Sequence, residues 1–382
     1  MIDFAQRMKR FQEQLGAHAE LAFVPVSTDL EYLTGIPRDI PNFGVTLHPG
    51  AWLEGAWISP RGSVTVTLPR MSADYGGLAE SAGSALRILG DWDDPAELVR
   101  DVLSGFGLPD KVRIAVSDRA HAESVIQLQA LFPLATFISA TEILREQRVI
   151  KDADEVRLMR EAGEVTERAF AAVIDKLKLG MTELDLVSEV DYQMKRFGSL
   201  GPSFTTSLYN TGPGYPLIHG NRTESWKRVI EPPVSVLFDF GAVYQGMCYD
   251  FGRTVSFGEP SEEQIRVHRL VMDAQQAGIA MLRAGSATCE QADAAARKVI
   301  ADAGYGDRFR HRLGHGIGKD VHEPPFLTQG STTVLEAGMM FTVEPSILTP
   351  NGFSARVEDV VLAMPGSGQP LTSGFQDLIV VS

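Results

Sequence analysis

An α+β protein of two unequal domains is the fold class predicted by three features of the sequence. Residues 1–146 alternate helical and strand-like patterns in the manner of an α/β domain. A charged run, REQRVIKDADEVRLMREAGE, then changes the texture of the chain. Beyond it, apolar strand-like runs surround two helical segments, the pattern of an antiparallel sheet backed by helices. The expected domains are 1–146 and 147–382; a chain of 382 residues exceeds the roughly 100–200 residues usual for one domain.

In the first domain, Asp3 to Leu15 is an amphipathic helical segment and LAFVPV an apolar strand. Strands at Gly55 to Ile58 and Ser63 to Leu68 read as a hairpin joined by Ser59-Pro60-Arg61-Gly62, and KVRIAVSD is a further strand. No catalytic constellation stands out there. The charged run leads into a long helix reaching about Leu179, and Thr182 is placed to cap a second that ends near Phe197. Helical segments follow near 261–284 and 288–303, among the strands VSVLFDFG, MCYDFGRTVSF, MMFTVEPSIL and FSARVEDVVLA.

Composition narrows the function. With 44% hydrophobic and 22% charged residues the chain belongs to neither the disordered nor the fibrous classes. A net charge of −14 without Lys/Arg clusters argues against nucleic acid as a partner. The N-terminal segment is not a secretory signal and no apolar run is long enough to span a bilayer, so no membrane partner is expected. Two cysteines, Cys248 and Cys289, give no disulfide framework and suit a reducing, cytoplasmic location.

The chemistry concentrates in the second domain. Asp239 and Asp250 each lie in an apolar strand-like run, where an ionised carboxylate is costly without a counter-charge. Gly241 and Gly246 lie between them, so a hairpin would bring the two face to face. Glu344 and Glu358 repeat the pattern around a Pro-Asn-Gly turn, and His315 in LGHGIG adds an imidazole between glycines. Singly, each acid is as well explained by a salt bridge to Arg253 or Arg356. Together they suit a divalent metal site of four oxygen ligands and one nitrogen: Mn²⁺, Fe²⁺, Co²⁺ or Zn²⁺, with no thiolates for a structural zinc.

The ordered set DFG, YDFGRT, GHGIG, VEP and RVED resembles the pita-bread metallopeptidases, specifically the aminopeptidase P and prolidase branch. YLTGI and the linker IKDADEVRLMREA are similar to the creatinase-type N-terminal domain and its junction, so the resemblance covers most of the chain. It implies a creatinase-like domain over 1–146 and a pita-bread catalytic domain over 147–382. It also implies two divalent ions, manganese first, with cobalt, zinc and iron as alternatives. Asp239, Asp250 and Glu358 would hold one ion; Asp250, His315, Glu344 and Glu358 would hold the other, so Asp250 and Glu358 bridge. Glu344 is then the proton-exchanging acid. His322, in KDVHEPP, stabilises the transition state, and His219, in YPLIHGN, positions substrate or moves a proton. Arg356 fixes a ligand carboxylate. Trp52, Trp57 and Tyr75 are weaker candidates for closing a pocket; His18, His48, His121, His268 and His311 have no motif support.

The implied substrate is a proline-containing peptide cut at its Xaa-Pro bond, and the implied assembly a homodimer. The segment Phe326 to Met340 contains neither Lys nor Arg to hold a terminal carboxylate, which leans the expectation towards an Xaa-Pro aminopeptidase acting on longer peptides. Arg222, Lys227 or an N-terminal-domain arginine would restore an Xaa-Pro dipeptidase (prolidase), which the compact length favours. A metal-dependent hydrolase or lyase of a small non-peptide substrate is a further alternative. A non-catalytic binding protein is disfavoured because every ligand position is filled.

Overall fold

The computed structural model describes residues 2–38, 48–76, 78, 85–217 and 222–382. The chain divides into two compact units, Met1–Arg148 and Val149–Ser382. No helix among the described residues is long and apolar enough to cross a membrane.

In the first unit, strands β1 (Leu21–Pro25), β2 (Gly55–Ile58), β3 (Val64–Pro69), β4 (Leu86–Leu89), β5 (Arg113–Val116) and β6 (Thr136–Ser139) form a mixed sheet ordered β4-β3-β2-β1-β5-β6. The β2–β3 pair is the expected hairpin, closed by Ser59 N donating to Ser63 O at 2.9 Å. Strand side chains alternate between faces. Ala22 and Val24 of β1 therefore join one buried cluster with Phe11, Leu15 and Leu30, while Leu21 and Phe23 join another with Val99 and Leu128. Helices thus cover both faces. The helix Phe4–Leu15 starts where the Asp3 carboxylate accepts from Gln6 N. Trp52 and Trp57 are core residues of this unit; the Trp57 indole donates to Thr67 Oγ1 and its ring packs on Phe23 at 4.4 Å between centroids. Tyr75 is exposed.

The second unit opens with the helices Ala153–Ile174 and Glu183–Arg196, begun by reciprocal capping boxes of Asp152 with Glu155 and Thr182 with Asp185. One sheet combines β7 (Ser207–Thr211), β8 (Val234–Phe240), β11 (Phe251–Phe257) and β19 (Ile379–Val381) in the order β19-β11-β8-β7. Its β9 (Val243–Tyr244) and β10 (Met247–Cys248) form a small hairpin between β8 and β11. The other sheet combines β12 (Gly314–Gly316), β13 (Glu323–Leu327), β14 (Met340–Val343), β17 (Asp359–Leu362) and β18 (Gln369–Pro370) in the order β13-β12-β14-β17-β18. A separate pair, β15 (Ser346–Ile347) with β16 (Ala355–Arg356), lies between β14 and β17 in sequence. The helices Glu262–Met281 and Cys289–Asp302 back this second sheet: Val271, Ala274, Ala292 and Ala296 share a buried cluster with Phe341, Val343 and Val361.

Two expectations are corrected here. In the second unit the sheets are antiparallel except where β19 joins β11 in parallel. The runs read as single strands over 247–257, 339–348 and 353–363 are each interrupted, at Tyr249-Asp250, Glu344-Pro345 and Val357-Glu358. At each break the chain exchanges one pairing partner for another: β10 pairs with β9 but β11 with β8, and β14 pairs with β17 but β15 with β16. Three of the four acids singled out by the sequence occupy these switch points.

Candidate metal centre

Antiparallel pairing places Phe240 opposite Phe251 and Asp239 opposite Gly252. Asp250, two residues before Gly252, therefore projects to the same side as Asp239, as a diagonal neighbour. Gly252 is also where the two sheets meet. Gly252 N donates to Glu358 O at 3.3 Å and Glu358 N donates to Gly252 O at 3.0 Å. A Cβ at Gly252 would lie 2.9 Å from both Cβ and Oε2 of Glu358, so only glycine leaves the Glu358 carboxylate room beside the two aspartates.

His315 arrives from the opposite sheet on β12. Its flanking glycines are required by close packing: a Cβ on Gly314 would strike Thr342 O at 1.9 Å, and one on Gly316 would strike Glu323 O at 2.5 Å. His315 Nδ1 lies 3.0 Å from Gly316 O, which sets Nδ1 as the protonated nitrogen and leaves Nε2 to face the acids. Nε2 is 3.4 Å from Glu344 Oε1 and 3.6 Å from Asp250 Oδ2. Glu344 N donates to Leu313 O at 2.9 Å, tying that acid to the histidine strand.

The arrangement is rich in negative charge and short of positive charge. Ligand atoms of Asp250, His315 and Glu358 all lie within 4.8 Å of one another. Arg356 NH1 pairs with Asp239 and lies 3.8 Å from Glu344 Oε2 and 3.9 Å from Glu358 Oε2. One guanidinium thus serves three carboxylates. Burial, reinforced by Asp250 and Glu344, pushes the Asp239 carboxyl up to about 7 despite Arg356. Burial and the fields of Asp250, Glu344 and Asp239 likewise hold Glu358 well above the ordinary carboxylate range. Burial opposes the His315 imidazolium, but the hydrogen bond to Asp250 and the charges of Glu344 and Asp250 raise it above its ordinary value. Asp250 Oδ1 and Glu358 Oε2 are buried with no hydrogen-bond partner. Unpartnered buried carboxylate oxygens are costly, and both belong to carboxylates with a ligand atom within 4.8 Å of a His315 ring nitrogen. The donor set is oxygen and nitrogen without sulfur, so the residues present fit hard or borderline divalent cations.

The remaining sequence candidates sort as follows. The His322 ring packs edge-on against His315 at 4.1 Å between centroids. Burial, then the neighbouring His315 and Arg312, lower its pKa below the ordinary imidazole value. His219 lies outside the described residues. Arg253 does not serve these acids; it donates to Asp359 Oδ1 at 2.6 Å. Arg356 is placed by its backbone N on Thr254 Oγ1 and its Nε on Ser346 Oγ, at 2.9 and 2.8 Å. Sequence reading missed Thr342, whose hydroxyl accepts from His315 N at 3.1 Å and donates to Glu344 Oε1 at 3.2 Å. The signal was its position two residues before Glu344 on the same strand face.

Comparison with known proteins agrees with this geometry. Residues 157–364 match the model of metallopeptidase family M24. An Xaa-Pro dipeptidase of Lactobacillus helveticus is 30% identical over 358 residues, 93% of this chain and 95% of that protein. A recombinant prolidase from Thermococcus sibiricus superposes with a TM-score of 0.88 at 28% identity, covering 100% of both chains. An X-Pro aminopeptidase from Thermotoga maritima superposes at 0.82 with 26% identity, covering 97% of this chain and 100% of that one.

Proposed function

This chain belongs to metallopeptidase family M24, and from that premise we propose that it is a metal-dependent Xaa-Pro dipeptidase. The observation that carries the metal dependence is the clustering of Asp250 and Glu358 with His315, each acid keeping one buried oxygen without a hydrogen-bond partner. Divalent cations bound there would polarise a substrate carbonyl and acidify the attacking water. Asp239, Asp250, His315, Glu344 and Glu358 would hold the ions, Asp250 and Glu358 being shared between the two. Manganese is the assigned metal.

The chain's own groups do the rest. Glu344, its Oε1 held by Thr342, exchanges the proton of the nucleophile. His322, packed edge-on against His315, is suited to donate to the oxygen on which charge develops. Arg356 keeps Asp239 oriented and offsets repulsion among the acids. His219 is assigned to hold the substrate.

Dipeptides are preferred as substrate because the Lactobacillus helveticus and Thermococcus sibiricus relatives, matched over nearly their whole length, are named for that activity. This reverses the lean towards longer peptides. The specific observation favouring that second reading remains the absence of Lys and Arg over 326–340. The test compares kcat/KM for an Xaa-Pro dipeptide and an Xaa-Pro-Xaa tripeptide under identical metal loading. A preference for the dipeptide of about tenfold or more is expected; equal or better cleavage of the tripeptide favours the aminopeptidase.

A further inference from the structure

Asp250 and Glu358 lead into strands of different sheets, β11 and β17. Two buried carboxylates repel, so their separation needs a brace that does not depend on the ions. The residues beside them supply one. The hydroxyl of Tyr249, which precedes Asp250, lies 2.7 Å from Thr372 Oγ1. Thr372 Oγ1 in turn donates to Oδ1 of Asp359, the residue after Glu358, at 3.1 Å. A threonine hydroxyl carries one proton, here committed to the Asp359 carboxylate, so Tyr249 is the donor of the first bond. One buried side chain from a third stretch of backbone thus joins the two ligand-bearing segments.

Both ends of this chain are fixed. Asp359 also accepts from Arg253 at 2.6 Å, from Gln275 Nε2 at 2.9 Å and from Gln376 Nε2 at 3.2 Å. Arg253 further donates to Glu358 O at 2.5 Å and Gly252 O at 2.7 Å, clasping the point where the sheets meet. The loop carrying Thr372 is held to the helix Ala153–Ile174, because Ser373 N and Gly374 N donate to Glu167 Oε1 at 3.1 and 2.6 Å. The same helix makes room for the pair. A Cβ on Gly163 would lie 2.8 Å from Thr372 Cγ2 and 2.9 Å from Tyr249 Cε2. Glycine is unfavourable in mid-helix, and here it leaves the space that the tyrosine and threonine fill.

We propose that Thr372 is a positioning residue of the metal centre: its hydroxyl sets the separation of Asp250 and Glu358 and thereby the affinity for the ions they share. This rests on the metal-dependent reading above. Thr372 lies outside every motif of the site, in a C-terminal loop that only the fold brings behind both acids.

The test titrates metal-free wild type, Thr372→Val, Thr372→Ser, Tyr249→Phe and the Thr372→Val/Tyr249→Phe double variant with Mn²⁺ by calorimetry, and records thermal melts of each in chelator. Thr372→Val, which keeps the shape but not the hydroxyl, should weaken Mn²⁺ binding about 10–100-fold, the range usual for groups that orient metal ligands. Thr372→Ser, which keeps the hydroxyl, should bind close to wild type. Tyr249→Phe should weaken binding less, since the bond to Asp359 survives, and it carries the test should the valine variant fail to fold. The double variant should match Thr372→Val, because valine already breaks both bonds of the chain. Wild-type affinity in every folded variant overturns the proposal even where the melts fall, that being the mark of a purely structural bond. A serine variant as weak as valine, or a double variant weaker than Thr372→Val, also overturns it. A wild type that takes up no Mn²⁺ overturns the metal assignment itself, and the proposal with it.

Discussion

Asp250 and Glu358 each keep a buried, unpartnered oxygen and cluster with the same histidine, so removing either side chain should do more than delete one ligand. Asp250→Ala or Glu358→Ala is expected to abolish activity and to lower the metal content by more than one ion per two bound, measured by elemental analysis of purified protein. Unchanged stoichiometry in both variants would contradict the bridging assignment. The raised groups also predict a pH dependence of the metal-free protein. Asp239, with a folded value of about 7 against an ordinary 3.8, binds its proton more tightly when folded. Its stabilising contribution is complete below about 4 and is lost as pH rises through 7. Glu358 and His315 shift in the same direction. Thermal melts in chelator should therefore fall between pH 5.5 and 7.5, whereas divalent metal should remove that fall. A metal-free melting point that rises across this window would contradict it. At this scale the four acids stood out as candidates, because acids inside apolar runs advertise an absent counter-charge. Thr342 and Ser346 did not, since their contacts depend on which strands face one another.

Strand breaks are the element-scale device of the site. A strand that changes partners leaves its ladder for a residue or two, and Asp250, Glu344 and Glu358 occupy those gaps. Sequence patterning showed the apolar runs but not their interruptions, because period-two alternation continues across a change of partner. The His322-bearing loop is held differently. Lys151, just ahead of the helix Ala153–Ile174, forms a buried ion pair with Glu323, and its backbone N donates to Gly338 O at 2.9 Å. Glu323 Oε1 in turn accepts from Asp320 N at 3.1 Å. Lys151→Met removes one buried cation from Glu323, a change that costs up to about 3–5 kcal/mol. Denaturant unfolding should show that loss, and kcat should fall with metal content retained as His322 loses its support. A variant as stable as wild type would show that Glu323 has found other compensation.

For the whole molecule, the α+β class was legible from alternating texture, a charged junction and strands around a helical pair. The mixed order of the first sheet and the parallel edge strand β19 were not, because they depend on pairings distant in sequence. The charge balance of −14 conceals a local fact of more consequence: five acidic or imidazole groups gathered at the meeting of two sheets, with one arginine among them. That concentration makes the second unit a metal-dependent catalyst in the account given above. It is tested most directly by titrating metal-free protein with Mn²⁺ while cleavage of an Xaa-Pro dipeptide is followed. The account predicts negligible cleavage at the start and a rate that levels off at two ions per chain; full cleavage before any metal is added would contradict it.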